Sequence, residues 1–260
     1  MAPTDHYYRE AKRSGYRSRA AFKLKQLDAE VNLFSSGDTV VDLGAAPGGW
    51  LQVAAEAVGE AGRVIGVDLN QIEPLDSPEA TVETIQGDLT DEELLEGLID
   101  RLEEGGVDVV LSDMAPDMTG EYGLDHARSV HLAEQAATLA RELLAGGGDF
   151  VVKVFQGPEL DALRSDLEAD FEYVRTVSPP ASRDASSEVY LVGKGHLKAP
   201  VRAGDRLEVE IEATGSEGDG IAYLDGYTLF VPETTPGDRV EVEIEAIKPR
   251  FGFAHRIEPT

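Results

Sequence analysis

In the stretch Val40-Val41-Asp42-Leu43-Gly44-Ala45-Ala46-Pro47-Gly48-Gly49-Trp50, two β-branched residues and a leucine spell a short apolar strand. Gly44, Pro47, Gly48 and Gly49 then impose a tight turn, and Leu51 to Val58 read as a helix. Glycines let a ligand approach the backbone closely. The first strand–loop–helix unit of a doubly wound α/β sheet is also where nucleotide-like molecules are held. The spacing is not Gly-x-Gly-x-x-Gly, and no Gly-Lys-Ser/Thr follows to cradle phosphates. A neutral ligand end is therefore favoured over a pyrophosphate.

One strand later, Arg63-Val64-Ile65-Gly66-Val67 ends in Asp68, where these folds place an acid that accepts hydrogen bonds from ribose hydroxyls. Thr84-Ile85-Gln86-Gly87-Asp88 is a third strand ending in a carboxylate. Any one of these acids also serves as a helix cap. Asp42, Asp68 and Asp88 in series behind a glycine loop resemble the S-adenosylmethionine site of class I methyltransferases.

The 260 residues suffice for one large domain and a small one. Fifty acids against 23 bases give a net charge of −27, spread along the chain. Such acidity opposes nucleic-acid binding at long range. At about 1 M salt, however, the Debye length is roughly 3 Å and only contact-range pairs matter, so the composition suggests adaptation to a salt-loaded cytoplasm. The absence of cysteine excludes disulfides and thiolate metal sites. His6, His126, His131, His196 and His255 form no ligand cluster beyond an ordinary pair on one helix, and no metal is expected. With no start resembling a signal peptide and no bilayer-length apolar run, a soluble cytoplasmic protein is expected.

Residues 7–25 run against the acidic background. Arg9, Lys12, Arg13, Arg17, Arg19, Lys23 and Lys25 face one acid, Glu10, a local balance of 7 − 1 = +6, with Tyr7, Tyr8 and Tyr16 interleaved. Bases among aromatics suit a phosphate backbone and stacked bases. From Ser18 the pattern becomes helical, with Leu24, Leu27, Val31 and Phe34 as its buried stripe. Lys23 beside that stripe either snorkels to the surface or points into a cleft.

Strands and helices alternate beyond the glycine loop. A helix is expected over 90–104, a strand over 107–112, and a helix from about Asp125 to Ala145, stopped by Gly146-Gly147-Gly148. There follow a buried strand over 150–155, a helix over 158–169, a strand over 171–176, the Pro179-Pro180 loop, and a last strand over 188–192. Within Phe150-Val151-Val152-Lys153-Val154-Phe155 a single lysine interrupts an apolar run. Burying an unpaired charge costs several kcal/mol, so Lys153 needs a partner or must lose its proton. Asp113 lies just past the neighbouring strand. If the last strand runs antiparallel beside the lysine strand, Glu188 reaches the same sheet edge.

The segments Tyr16-Arg17-Ser18-Arg19-Ala20-Ala21-Phe22-Lys23-Leu24, Asp42 to Trp50, Ser112-Asp113-Met114-Ala115-Pro116, Val152-Lys153-Val154-Phe155-Gln156-Gly157 and Ser187-Glu188-Val189-Tyr190 together resemble the FtsJ family of RNA ribose 2′-O-methyltransferases. The resemblance spans residues 7–194 and implies a Rossmann-like class I methyltransferase sheet. It makes Lys153 the general base, with Lys23, Asp113 and Glu188 orienting the ribose and tuning the amine. It also places S-adenosylmethionine on Asp42, Gly44, Pro47, Gly48, Gly49, Trp50, Asp68, Asp88 and Asp113. Asp-Met-Ala-Pro departs from the Asn/Asp-Pro-Pro-Tyr/Phe pattern of amino-nitrogen methyltransferases, which favours oxygen as the acceptor.

Lys194-Gly195-His196-Leu197-Lys198-Ala199-Pro200 reads as a linker, dividing the chain into a methyltransferase domain at 1–195 and a small β-barrel at 196–260. In the barrel, Leu207, Val209 and Ile211, and then Val240, Val242 and Ile244, alternate with glutamates, and Asp225-Gly226 marks a hairpin. Gly218 to Ala222, Phe230-Val231-Pro232 and Pro236-Gly237-Asp238 resemble a TRAM domain, an OB-like barrel that binds RNA. The face expected to meet RNA carries Lys248, Arg250, Phe251, Phe253 and Arg256, although the two phenylalanines would equally complete the barrel core. Together the resemblances imply a monomer that methylates a ribose, in a uridine of large-subunit ribosomal RNA, held through Arg9, Lys12, Arg13, Arg17, Arg19 and the barrel. The same reaction on transfer RNA, or a non-catalytic ribosome-assembly factor, are the alternatives.

Overall fold

A computed structural model describes residues 6–75, 79–102, 106–182 and 187–257. Two short helices, α1 (His6–Arg13) and α2 (Ala20–Val31), precede the sheet. Leu24, Leu27 and Val31 of α2 are buried, and Asn32, in the left-handed region, ends the helix so that Phe34 lies beyond it and is half-buried. The glycine-loop unit folds as β1 (Thr39–Leu43) and α3 (Gly49–Val58), followed by β2 (Arg63–Asp68) and β3 (Thr81–Gln86). The third strand thus begins three residues earlier than its apolar pattern suggested and stops before Asp88.

The helix expected over 90–104 is shorter, α4 (Glu92–Ile99), because Asp91 caps it by accepting the Glu93 N–H at 3.0 Å; residues 103–105 lie outside the described residues. β4 (Val107–Ser112) leads to α5 (Tyr122–Leu143) and β5 (Leu144–Phe155). Gly146, Gly147 and Gly148 therefore do not stop the helix. They belong to the strand, whose pairing with β4 shifts register between Val107 and Val109. α6 (Leu160–Glu168), β6 (Phe171–Val177) and β7 (Glu188–His196) complete the unit.

Residues 194–196 are also strand rather than linker. Lys194 and His196 register against Tyr173 and Phe171, and His196 is buried with its ring 5.4 Å from that of Phe171. Among the described residues the sheet order is β3-β2-β1-β4-β5-β7-β6, parallel as far as β5 and antiparallel at β7 and β6. This is the methyltransferase-like fold. α2 and α3 pack on one face around Leu24, Leu51, Leu111 and Tyr190, while α4, α5 and α6 cover the other around Leu98, Leu139 and Phe150.

The chain then forms a second, curled sheet, from β8 (Arg206–Glu210), β9 (Ala213–Thr214), β10 (Gly220–Leu224), β11 (Tyr227–Val231), β12 (Arg239–Ile247) and β13 (Phe251–Arg256). Val209, Ala222, Leu229, Val231, Val242, Ile244 and Ala254 fill it. The Asp225-Gly226 hairpin is present, with both residues at positive φ joining Leu224 to Tyr227. No helix among the described residues is long and apolar enough to cross a membrane.

Candidate active site

Strand periodicity gathers the first group of side chains. Lys153 registers with Tyr190 and Phe155 with Glu188 across the antiparallel β5–β7 pair. Since alternate residues share a face, Lys153, Tyr190 and Glu188 all project from the side that α2 covers. Lys23 descends from α2 onto the same spot, buried rather than snorkelling. Two ion pairs result: Lys153 Nζ lies 2.9 Å from Asp113 Oδ1, and Lys23 Nζ lies 2.7 Å from Glu188 Oε1. Lys153 also donates to the Asp113 carbonyl oxygen.

Tyr190 joins the two pairs. Its hydroxyl donates to Asp113 Oδ1 at 2.7 Å, and Lys23 Nζ stands 5.8 Å from the centre of its ring. Burial, reinforced by the charges of Asp113 and Glu188, pushes the phenol well above its usual titration range. It therefore stays a protonated donor.

A cleft of about 1360 Å³ opens beside this cluster along the carboxyl edges of β1 to β4, lined by Gly44, Ala46, Asp68, Asp88, Asp113 and Met114 among others. Gly44 has a φ of +78°, and a Cβ there would come within 2.3 Å of the Met114 side chain. Two residues earlier Asp42 is 1 % exposed, and its Oδ2 has no partner among the described residues. Burial first, then the charges of Asp113 and Asp68, raise its carboxyl well above the ordinary range. Asp68 is largely occupied: Oδ2 accepts the Ala46 N–H at 2.9 Å, and Oδ1 accepts from the Asn70 backbone and side chain. A carboxylate accepts about four hydrogen bonds, so about one position remains for a ligand hydroxyl. Asp88 accepts from the Thr90 N–H and hydroxyl, bonds that hold it below the usual carboxylate range.

Residues 16–196 match the FtsJ-like methyltransferase family, and residues 200–257 match the TRAM domain. The chain belongs to the FtsJ-like methyltransferases. It is 64 % identical over 258 residues to a protein of Halorubrum lacusprofundi named ribosomal RNA large subunit methyltransferase E, covering 99 % of this chain and 95 % of that one. Proteins of the same name from Natronomonas pharaonis and Methanosarcina mazei are 60 % and 47 % identical, covering 99 % and 98 % of this chain and 100 % and 94 % of theirs. A crystal structure of a Plasmodium falciparum ribosomal RNA methyltransferase superposes with a TM-score of 0.62 at 28 % identity, covering 70 % of this chain and 99 % of that one. Halophilic archaea among these relatives accord with the acidic composition.

Three expectations for this FtsJ-like site need correction. Trp50 does not line the cleft: its indole is buried, donates to the Ala20 carbonyl at 2.8 Å and packs 5.8 Å from the Tyr190 ring. It fastens α2 to α3. Arg17 does not present its guanidinium to a phosphate backbone, because the fork donates to the carbonyls of Glu73, Pro74 and Pro47 at 2.5, 2.6 and 3.2 Å. Arg19 likewise donates to the Ala181 carbonyl. Both straddle loops that are distant in sequence, which local charge counting could not show. Arg9, Lys12 and Arg13 of α1 remain exposed.

Gly48, at φ +101°, and Gly49 admit the neighbouring Arg17 and Ser18: a Cβ on them would meet those side chains at 3.0 and 2.3 Å. The close approach they permit is thus to the protein's own chain. Tyr190 and His126 were not singled out from the sequence. The spacing of Tyr190, two residues after Glu188, was the available signal. His126 is buried at the start of α5, with Nδ1 2.9 Å from the Phe155 carbonyl oxygen, and steadies the chain just past Lys153.

In the TRAM sheet, Gly252 and Ala254 face the core, whereas Phe251 and Phe253 face outward and are 37 % and 40 % exposed. They do not complete the barrel interior.

Proposed function

We propose that the protein transfers a methyl group from S-adenosylmethionine to the 2′-hydroxyl of a ribose, in a uridine of large-subunit ribosomal RNA. The buried pairs Lys153–Asp113 and Lys23–Glu188, bridged by Tyr190 at the mouth of the glycine-loop cleft, carry this reading. The relatives' name supports the substrate class, and the family resemblance supplies the uridine. The cleft suits the cofactor chemically. Asp42, two residues before the Gly44 that lines the cleft, has a carboxyl oxygen with no partner among the described residues, to which a cationic amino-acid end would supply a donor, and the acids at Asp68 and Asp88, which line the cleft, suit a nucleoside. Asp42, Gly44 and Pro47 would hold it at one end and Asp68 and Asp88 at the other, with Asp113 adjoining. S-adenosylmethionine supplies an electrophilic methyl group on a sulfonium.

A ribose hydroxyl is a very weak acid, and its oxygen becomes an effective nucleophile only as its proton departs. Lys153 Nζ, ion-paired with Asp113 at rest, first gives its own proton to solvent, then takes the hydroxyl proton and later releases that to solvent as well. Asp113, fixed by the Tyr190 hydroxyl, holds Nζ in one place. Lys23 and Glu188 orient the ribose from the α2 side. Keeping the oxygen in attack geometry contributes more than any pairwise attraction in such a site. Arg9, Lys12 and Arg13, with the TRAM domain at 200–257, bind the RNA.

The test is transfer of labelled methyl from S-adenosylmethionine to unmodified large-subunit ribosomal RNA in high salt, with transfer RNA alongside and Lys153→Ala as control. Label on a ribose of the ribosomal RNA that the variant does not produce supports the proposal. Label in transfer RNA alone overturns the substrate, and cofactor binding without transfer to either RNA overturns the activity.

A further inference from the structure

Past Asp113 the first aromatic residue of the chain is Tyr122, in the opening turn of α5. Its hydroxyl donates to the Gln156 carbonyl oxygen at 2.5 Å, and the Gln156 N–H donates in turn to the Ser187 carbonyl at 2.8 Å. The ring is thus tied to the turn after Lys153 and, through it, to the residue before Glu188. Gln156 stands three positions past Lys153, about 10 Å at about 3.3 Å per residue, a distance that one nucleoside spans.

The backbone on both sides of this ring is held. Tyr122, His126 and Ser129 fall on one stripe of α5. Below Tyr122 on that stripe, Ser129 Oγ accepts the Phe155 N–H at 3.1 Å, and His126 Nδ1 lies 2.9 Å from the Phe155 carbonyl oxygen. Ahead of it, Asp125 accepts from the Thr119 N–H and hydroxyl, both at 2.8 Å, and from the Gly120 N–H at 3.0 Å. Yet Tyr122 is 60 % exposed. A tyrosine fixed at both ends and bare on its face fills no core, and it offers contact area at little loss of conformational entropy. The other exposed rings among the described residues of this domain lie elsewhere: Tyr8 belongs to α1, and Tyr173 registers with Lys194, at the far end of β7 from Glu188. The acid Glu121 precedes Tyr122, and Glu159, paired with His126, follows on the turn that it holds. A phosphate is disfavoured beside these acids, whereas the uncharged face of a base is not. Stacking on a ring, unlike a phosphate contact, also survives at about 1 M salt.

We propose that Tyr122 is a substrate-positioning residue whose ring stacks on the base of the methylated nucleotide and so holds that nucleotide's ribose at Lys153. The hydroxyl bond to Gln156 sets the ring; the ring's exposed face meets the base. This rests on the reading of the protein as an RNA ribose methyltransferase.

The test uses the full chain in about 2 M KCl, where phosphate contacts are screened, and a fragment of large-subunit RNA cut around the ribose that the wild-type protein labels. The fragment is made intact, with an abasic ribose that keeps its 2′-hydroxyl at the labelled position, and with an abasic ribose at the next nucleotide. Affinity is read with S-adenosylhomocysteine present, and transfer with S-adenosylmethionine. The wild-type protein should bind and methylate the RNA abasic at the target about tenfold less well than the intact one, in keeping with the loss of one stacked base. Tyr122→Ala should lose that factor on the intact RNA and nothing further when the target base is removed, so that ring and base account for a single loss. Tyr122→Phe, which keeps the ring without the Gln156 bond, should stay within about threefold of the wild type on the intact RNA and still depend on the base. The same base dependence in the wild type and the alanine variant overturns the proposal, as does a penalty confined to the neighbouring abasic site. A phenylalanine variant as poor as the alanine one does so too, since Tyr122 would then be a brace for the turn. A wild-type protein that labels no ribose removes the methyltransferase reading and this proposal with it, whereas transfer indifferent to the target base removes the proposal alone.

Discussion

Lys153 and Asp42 are both ionisable residues buried in apolar strands, and the fold treats them oppositely. Lys153 meets two oxygens of Asp113, whereas Asp42 Oδ2 meets no partner among the described residues. Lys153→Ala is expected to lower kcat by 10²- to 10⁴-fold, the usual share of a general base, with cofactor affinity unchanged in calorimetry. For Asp42 the consequence is a stability cost. Because its folded-state carboxyl titrates above the unfolded one, folding favours its protonated form. That contribution is complete below the unfolded pKa near 4 and is lost as pH rises toward the folded value. Asp42→Asn should match the wild type near pH 3 and exceed it by about 2 kcal/mol at pH 8, roughly 6 °C in Tm, while weakening cofactor binding. Thermal melts across that range check it, and a variant no more stable at pH 8 would mean the carboxylate is satisfied. Lys153 was legible because a charge in a valine run demands an explanation, whereas the helical spacing of Lys23 left snorkelling and burial equally open. Tyr190 was not, since a tyrosine in a strand is ordinary core until the register sets it beside Lys153.

At the level of elements, the sequence revealed strands and helices better than what holds their ends. Gly146 to Gly148 read as a helix stop, yet the glycines admit the Pro249 turn to within contact of β5; no local pattern announces a docking seam. His196 read as linker because the Phe171 ring that buries it lies in another strand. Arg17 is the clearest case. Its own N–H donates to Gln52 Oε1 at 2.8 Å while its fork spans the loops after β1 and β2, so the segment before α2 braces the glycine loop from outside. Arg17→Ala is expected to weaken S-adenosylhomocysteine binding about tenfold, equivalent to about 1.4 kcal/mol, and to leave RNA affinity nearly unchanged. Arg17→Lys should not rescue it, because one ammonium cannot reproduce a planar fork reaching three carbonyls. Calorimetry with the nucleoside and filter binding with RNA separate the two effects. Intact cofactor affinity with weakened RNA binding would return Arg17 to the phosphate-contacting role its sequence suggested.

For the whole molecule, a net charge of −27 makes the compact state work against its own repulsion at low salt. The barrel shows where: Glu241 registers directly opposite Glu208 across the β8–β12 pair, an arrangement that is destabilising when unscreened. Neighbouring rungs are relieved, with Arg239 bonded to Glu210 and Arg206 to Glu243, so the like-charge rung is a local liability that salt must screen. Between 0.1 and 3 M KCl the Debye length falls from about 10 Å to below 3 Å, and Tm is expected to climb by roughly 10 °C, corresponding to about 4 kcal/mol. Glu241→Lys turns the bare rung into an opposite-charge pair. It should raise Tm by roughly 2 °C at 0.1 M KCl and by nothing measurable at 3 M, where the repulsion it relieves is already screened. A gain that persisted at 3 M KCl would trace the effect to packing or strand propensity, and a wild-type Tm independent of salt would remove the link between this composition and a salt-loaded interior.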